Sequence, residues 1–387
     1  MHKKKKYCIF AAQYLPHMGG VERYTYNLAK KLIEKGNEVT VVTSNTGGFP
    51  SYEETENIVI YRLPCINLLD GRYPVLKLNK KFWKTNRILK SKMYDMVIVN
   101  TRFYLHSLYG MWFAKKKGIH CITIEHGTSH LSVHNKLFDL IGEVYEHLLT
   151  KIDGLFCKNY YGVSQACNEW LKHFHIQAKG VLYNSIDVSE VEKIKDKIQP
   201  IYRKKYSIPD DATVIAFTGR LLKEKGLPSL LNVMETLCSQ RQDVYLLIAG
   251  DGDMKNEIAA RESQHIIPLG RLDFEQIITL LSESDIFCLP SFSEGFSTSI
   301  LEAAACECYI LTTARGGAKE LLISDDYGSV IENNEEDILC SELMEVLNHP
   351  EKRARAVKMT YERLETNFTW ENVANQVEYL CEKQRSI

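Results

Sequence analysis

At 387 residues, 45% hydrophobic and 25% charged, the chain is too long for one ordinary core and suits two domains of roughly 150–200 residues each. It has no run of about 18 apolar residues, which excludes a membrane-spanning helix. The basic start MHKKKKYCIFAA lacks the apolar region and cleavage site of a secretory signal, so a cytoplasmic location is expected. The net charge of −1 hides an asymmetry: residues 1–190 carry 26 Lys and Arg against 16 Asp and Glu, and residues 191–387 carry 22 against 33. A basic half beside an acidic one suggests that the first faces something anionic.

The first half alternates short apolar runs with helical patterns. Strands are expected at Tyr7–Ala12, Glu38–Ser44, Ile58–Leu63, Asp95–Asn100, Cys121–Glu125, Gly154–Lys158 and Gly180–Asn184. They are near-continuous apolar runs, as parallel strands buried on both faces are. Helical patterns such as Val21–Lys35 and Leu137–Lys151 separate them. The polar stretch Asp187–Ser207, with Pro200 inside and Pro209 close by, reads as a linker with a short helix. The rhythm then restarts, with strands at Thr213–Thr218, Tyr245–Ala249, Ile266–Leu269, Ile286–Leu289, Tyr309–Thr312 and Ser329–Ile331. Helices are expected at Phe274–Glu283 and Ser297–Ala305, and in the tail at Asp337–Leu347, Glu351–Thr366 and Trp370–Lys383. The fold class is therefore α/β, with two doubly wound, Rossmann-like parallel-sheet domains facing each other across a cleft. The eleven cysteines are odd in number and scattered through apolar runs without a CxxC, so buried reduced thiols are expected, and the CxC of Cys306 and Cys308 is no zinc site by itself.

Two constellations stand at strand ends. Glu294-Gly295-Phe296-Ser297-Thr298-Ser299-Ile300-Leu301-Glu302 follows a strand and opens a helix. Its leading amides are the unpaired donors of a helix N-terminus, a ready anion site, and its two carboxylates can accept from sugar hydroxyls. The bland alternative is a capping box of Ser299 with Glu302. Gly219-Arg220-Leu221-Leu222-Lys223-Glu224-Lys225-Gly226 also lies between a strand and a helix. Arg220 offers a planar fork of donors and Lys225 a point charge, and both suit a diphosphate leaving group. Alone, such a string would often be only a solvated basic loop.

Together these strings resemble the family 4 glycosyltransferases. Further matches follow in order: Pro16-His17-Met18-Gly19-Gly20-Val21-Glu22, Glu125-His126-Gly127, Val163-Ser164, Asn184-Ser185-Ile186-Asp187 and Gly250-Asp251-Gly252. The resemblance covers nearly the whole chain. It implies a GT-B fold with an acceptor domain over 1–190, a nucleotide-sugar donor domain over 191–366, and a final helix over 367–387 crossing back to the first domain. It implies retention of configuration and transfer from a nucleoside-diphosphate sugar, UDP favoured over GDP, to a glycan or lipid-linked saccharide. It also implies roles: Gly219 in the donor site; Arg220, Lys225 and Thr298 at the diphosphate; Glu294, Phe296 and Ser297 at the donor sugar; Glu302 at the ribose; Arg271 and Leu272 beside the base. His126 would sit near the donor sugar across the cleft, and Gly19 and Gly20 near the phosphates or the acceptor. Ser297 stands where Gly or Pro is more usual, and Ser185 where Gly is.

The chemistry is consistent, since Arg220, Lys225 and the helix N-terminus can stabilise charge developing on the departing nucleotide. A front-face route, in which the leaving phosphate helps deprotonate the acceptor, is the usual proposal for such enzymes. A sugar-nucleotide epimerase or hydrolase, and a catalytically silent nucleotide-binding protein, are the alternatives on the same fold. Neither cofactor nor metal is expected. Asp251-Gly252-Asp253 spells a metal-binding DxD, but in a strand–turn–helix context where Asp253 is expected to cap a helix. His130, His134, His173 and His175 form no HExxH-type pair and read as ordinary surface or core residues. The basic stretch Lys77–Met93, with Leu78, Phe82, Trp83, Ile88 and Leu89 at roughly helical spacing, suits either a helix packed on the sheet or an anionic membrane surface. The basic first half favours the latter, so peripheral contact at the inner face of the plasma membrane is expected. No nucleic-acid-binding module is present.

Overall fold

The computed structural model describes residues 4–17, 19–69, 71, 73–130 and 135–383. Met18 of the Gly-Gly loop and His134 lie outside them. The chain forms two compact units, Met1–Asn184 with Trp370–Ile387, and Ser185–Thr369.

The strands of the N-terminal unit are β1 (Lys6–Ala11), β2 (Glu38–Asn45), β3 (Tyr52–Thr55), β4 (Ile58–Leu68), β5 (Tyr73–Leu76), β6 (Met96–Asn100), β7 (His120–Glu125) and β8 (Tyr160–Gly162). The helices are α1 (Gly20–Glu34), α2 (Lys80–Ser91), α3 (Leu105–Lys117), α4 (Lys136–Asp153) and α5 (Gln165–Lys172). The sheet runs β3-β4-β2-β1-β6-β7-β8, with β5 also on β4. From β4 to β8 it is parallel and doubly wound, reversing direction between β1 and β6. Tyr7–Ala11 and Met96–Val99 are wholly buried, as strands covered on both faces must be. Gly110 brings α3 hard against β1, since a Cβ there would stand 2.6 Å from the Phe10 ring.

Three expectations change in this unit. The Gly154–Lys158 run is not a strand but a turn closing α4, with Phe156 and Cys157 amides on the Asp153 carbonyl. The strand there is β8. Gly180–Asn184 contributes only a bridge between Val181 and Gly162. The expected strands also lack the antiparallel β3 and β5: β3 is polar and mostly exposed, and β5 is a four-residue run interrupted by Pro74.

The C-terminal unit contains α6 (Val188–Lys195), α7 (Tyr202–Lys205), β9 (Thr213–Thr218), α8 (Leu227–Gln240), β10 (Val244–Ala249), α9 (Lys255–Ala260) and β11 (Ile266–Gly270). It continues through α10 (Phe274–Ser282), β12 (Ile286–Leu289), α11 (Thr298–Ala305), β13 (Tyr309–Thr313), α12 (Ala318–Leu321), β14 (Ser329–Ile331), α13 (Glu336–Asn348) and α14 (Pro350–Asn367). Its parallel sheet runs β11-β10-β9-β12-β13-β14, the same doubly wound order, with the reversal between β9 and β12. The polar stretch after residue 185 belongs to this unit. Asp187 caps α6 by accepting from the Glu190 amide at 3.1 Å, and the Glu283 carboxylate collects the amides of Ile201, Tyr202 and Arg203 at 2.7–3.1 Å. The Ile186 amide bonds the Phe368 carbonyl at 3.0 Å, so the entering and leaving segments of the unit run side by side.

The chain then returns to the N-terminal unit as α15 (Trp370–Lys383), which packs Val373, Ala374, Val377 and Cys381 inward. Lys5 with Glu382 and Lys35 with Glu371, each at 2.7 Å, pin it, and Asn37 donates to Glu378 at 2.8 Å. All eleven cysteines are free. Among the described residues no helix is long and apolar enough to cross a membrane.

Candidate active site

In an open parallel sheet, ligands bind beyond the strand C-termini where the order reverses. In the C-terminal unit that place lies between the loops following β9 and β12, and both singled-out strings are there. Main-chain contacts hold them together. The Phe292 amide and Ser291 Oγ donate to the Glu224 carbonyl at 2.8 and 3.1 Å. Gly226, at φ +76°, starts α8 with its α-carbon so near β12's end that a Cβ would stand 1.9 Å from the Pro290 carbonyl oxygen. Only glycine tolerates both the left-handed conformation and that approach. The neighbouring loop is stitched on likewise: Leu221 and Asp251 pair through main chain at 2.9 Å, and a Cβ on Gly250 would stand 1.9 Å from the Gly219 carbonyl oxygen.

This framework aims the side chains. Lys225 Nζ lies 2.6 Å from Glu294 Oε1, with both side chains mostly but not wholly buried. Arg220 and Arg271 are exposed; Gly219, Leu272, Ser297 and Thr298 are partly so; Phe296 is buried. Phe296 packs edge-on to Phe368 and under Gly317, whose amide bonds the Gly295 carbonyl at 3.0 Å. Ser297 is the N-cap of α11 without a side-chain cap bond. The capping box of Ser299 with Glu302 is therefore absent, because the helix begins one residue before Ser299. Glu302 is buried just over one turn inside α11. Asp253 caps nothing: α9 begins at Lys255 with Met254 as N-cap and no side-chain cap bond, while Asp251 accepts from the Gly252 amide.

In the N-terminal unit the equivalent reversal lies between β1 and β6, and His126, just past the end of the adjacent β7, is tied to it through Asn100 at the end of β6. A proton chain fixes its tautomer. Thr25 Oγ1 donates to the Val21 carbonyl, Asn100 Nδ2 donates to Thr25 Oγ1 at 2.8 Å, and Asn100 Oδ1 accepts from His126 Nε2 at 3.0 Å. Nε2 thus carries the proton and Nδ1 is left as an acceptor. Desolvation pushes the imidazole down to about 3, so it is neutral at working pH. Its ring packs edge-on to Tyr24 at 4.8 Å, and Tyr24 edge-on to Trp370 of α15 at 5.0 Å. The Glu125 carboxylate accepts from the amides of His126 and Gly127 at 3.1 and 3.0 Å, and Arg102 Nη1 lies 3.3 Å from its other oxygen. Gly19 is the N-cap of α1 and Gly20 its first residue. Val163-Ser164 serves as a cap: Ser164 Oγ accepts from the Cys167 amide and begins α5.

Sequence reading missed Asn100, Tyr24, Arg102 and Trp370. Asn100 and Arg102 lie at and just beyond the end of β6, Tyr24 on α1 and Trp370 on α15, so spacing carries no trace of the set. An Asn at the end of an apolar strand was the one available signal.

The two reversed sheets and the return of α15 define the GT-B class of glycosyltransferases. Residues 18–190 match the model for Glycosyltransferase Family 4, and residues 198–363 that for Glycosyl transferases group 1. The chain belongs to this family and is a glycosyltransferase. It is 25% identical to an uncharacterized glycosyltransferase of Methanocaldococcus jannaschii, over 98% of this chain and 99% of that one. It is 27% identical to the GPI3 subunit of the Saccharomyces cerevisiae phosphatidylinositol N-acetylglucosaminyltransferase, over 80% of this chain and 68% of that one. Anabaena HepE, solved in complex with UDP, has the same fold throughout, with a TM-score of 0.75 at 18% identity and full coverage of both chains.

Proposed function

We propose that the chain transfers a sugar from a nucleoside-diphosphate sugar, UDP preferred, to a lipid-linked saccharide or related glycan, with retention of configuration and without a metal at the donor. The observation that carries this is the Lys225–Glu294 pair beside the start of α11, at the reversal point of the C-terminal sheet. Lys225, Arg220 and the leading amides of α11 supply positive potential for a diphosphate, with Gly219 and Thr298 beside them. Glu294, aided by the Phe296 and Ser297 main chain, accepts from hydroxyls of the donor sugar, and in doing so turns away from Lys225, which is then released to the phosphate. Glu302 accepts from the ribose, and Arg271 and Leu272 border the base. In the N-terminal unit we assign Gly19, Gly20 and His126 to the sugar and acceptor. His126 acts there as a neutral acceptor through Nδ1. The acceptor oxygen bonds to the anomeric carbon as the bond to the nucleotide breaks, and its proton passes to the leaving phosphate.

The UDP bound by HepE supports the choice of base, and the yeast relative's lipid substrate supports the acceptor class. Surface chemistry also supports a membrane acceptor. Phe82 and Leu89 of α2 are buried, but Leu78, Trp83, Ile88 and Met93 are exposed among its lysines. A larger apolar face lies on α4, where Leu137, Phe138, Leu140, Ile141, Val144 and Leu148 are all more than half exposed. Such a face is what an anionic lipid interface takes up.

The test is thermal stabilisation of the purified protein by UDP, GDP, ADP and their sugar conjugates without added metal. A shift with uridine nucleotides that disappears in Arg220→Ala is expected. Equal shifts for all bases, or a full shift in Arg220→Ala, would sink the donor-site assignment.

A further inference from the structure

A second convergent group lies in the N-terminal unit. His130 ends the turn that follows β7, His147 sits on α4, and His173 closes α5. Nε2 of His173 stands 3.3 Å from Nε2 of His130 and 3.1 Å from Nε2 of His147. One ring nitrogen from each of the three lies within 4.8 Å of the others. The rings are held: Trp170 stacks flat on His173 at 4.9 Å, and His130 meets Trp170 and Phe174 edge-on.

Three features distinguish this from a chance aromatic cluster. His130 Nδ1 lies 2.6 Å from Glu146 Oε2, so its Nδ1–H serves the carboxylate and its Nε2 lone pair points into the cluster. That is the arrangement of a metal-ligating histidine with its supporting carboxylate. Next, a tetrahedral ion with metal–nitrogen bonds of about 2.0–2.1 Å has ligand–ligand edges of about 3.3–3.4 Å, close to the two Nε2 separations of 3.3 and 3.1 Å. The third edge, between His130 and His147, is within 4.8 Å and would close by movement of the partly exposed His147 ring. Finally, the proton inventory is short for the atoms gathered. A proton on His173 Nε2 can lie between it and only one neighbour in a linear bond, whereas a cation satisfies all three lone pairs at once.

We propose that His130, His147 and His173 bind a divalent transition metal, Zn²⁺ by preference, through three imidazole nitrogens, with water in the fourth position. All-imidazole ligation suits Zn²⁺, Ni²⁺, Cu²⁺ and Co²⁺ and disfavours Mg²⁺ and Ca²⁺. The bound ion would tie the β7 turn to α4 and α5. Its supporting carboxylate continues inward: Glu146 Oε1 lies 2.7 Å from Arg102 Nη2, Arg102 meets Glu125, and Glu125 holds the His126 and Gly127 amides. Occupancy would thus stiffen the turn that presents His126, as a positioning device and not as part of the reaction.

The experiment titrates chelator-treated full-length protein with Co²⁺. The expected result is the visible d–d absorption of tetrahedral cobalt, saturating at a single equivalent, without the thiolate charge-transfer band that cysteine ligation gives. His147→Ala and His173→Ala should each abolish it, and Cys65→Ser should leave it unchanged. In parallel, Zn²⁺ should raise the melting temperature of the wild type by several degrees and of neither histidine variant. Both histidines lie at the surface, and an unchanged far-ultraviolet dichroism spectrum verifies folding. No tetrahedral spectrum, a spectrum surviving in both variants, or one with thiolate character would overturn the site.

Discussion

Within the N-terminal unit the guanidinium of Arg102 is wholly buried, 2.8 Å from Glu146 and 3.3 Å from Glu125, with the Phe174 ring 3.7 Å below it. Asp153 is buried nearby, and neither of its oxygens has a hydrogen-bond partner among the described residues. In the C-terminal unit Arg220 and Arg271 are exposed and the mostly buried Lys225–Glu294 pair keeps part of its surface, while what lies beneath is main chain brought close by Gly226, Gly250 and Gly316. One unit positions a turn with buried charges; the other positions charges with buried turns. The physical reason is desolvation. A charge sealed inside interacts strongly with its fixed neighbours and is unavailable to anything else, whereas a charge meant for a ligand must be free to exchange partners.

The sharpest way to break this contrast is Arg102→Met. It leaves Glu125 and Glu146 buried without their cation, and a loss of about 3–5 kcal/mol of folding stability is expected. Urea unfolding measures it, and a loss below about 1 kcal/mol would mean that water reaches the pair. The counterpart is Lys225→Ala. Here kcat/KM with the donor should fall by the equivalent of about 2–4 kcal/mol, the scale of a lost electrostatic donor, while the melting temperature stays near wild type. A variant that turns over normally would remove Lys225 from the leaving group.

Asp153 gives a smaller effect with a definite sign. Burial pushes its carboxyl up to about 8, with the nearby Arg102 opposing. The folded state therefore keeps a proton that the unfolded chain has released. Stability from this group is fully present below about pH 4, where both states hold the proton, and is lost progressively as pH rises towards 8. His126 and His106, driven down to about 3 and about 4 by burial, act in the opposite sense, weakening the fold as pH falls below about 6.5. Asp153→Asn should stabilise the protein by about 1–3 kcal/mol near pH 8 and by little near pH 4. Melting curves across that range decide it; a parallel offset at every pH would mean that Asp153 does not carry the slope.

The same contrast explains what could be read from the chain. In the C-terminal unit β9, β12 and β14 fall where their apolar runs begin and end, and the site strings are local, each within one strand–loop–helix connection. Local patterns survive in a sequence. In the N-terminal unit the β1, β2, β6 and β7 runs were equally plain. The set around His126, however, is assembled from α1, β6, α4 and the returning α15, and a pattern of contacts among four elements has no spacing to read. The strands β3 and β5 escaped for another reason, since a mostly exposed run of Tyr, Glu and Thr carries no buried signature and a four-residue run containing Pro74 is too short to read as a strand. The three clustered histidines share both difficulties: they lie on separate elements, and no pair has ligand spacing along the chain.

Helix α4 shows the limit of periodicity. The pattern over Leu137–Lys151 predicts an amphipathic helix but not which face is inside. In the structure its acidic Glu146 and Asp153 point inward to the Arg102 region, and its apolar stripe points out. An ordinary packed helix has this reversed, so the outer stripe contributes little to folding. Replacing Ile141 by Ser should change stability by no more than about 0.5 kcal/mol. If the stripe enters a lipid interface, the same change removes an apolar side chain from it, and partitioning onto anionic vesicles should fall by about tenfold. Co-sedimentation at two salt concentrations separates this apolar part from the electrostatic part carried by the basic surface. A substitution that costs folding stability instead of vesicle binding would show that the stripe is covered by protein and that the charge-in, apolar-out inversion belongs to an interface of another kind.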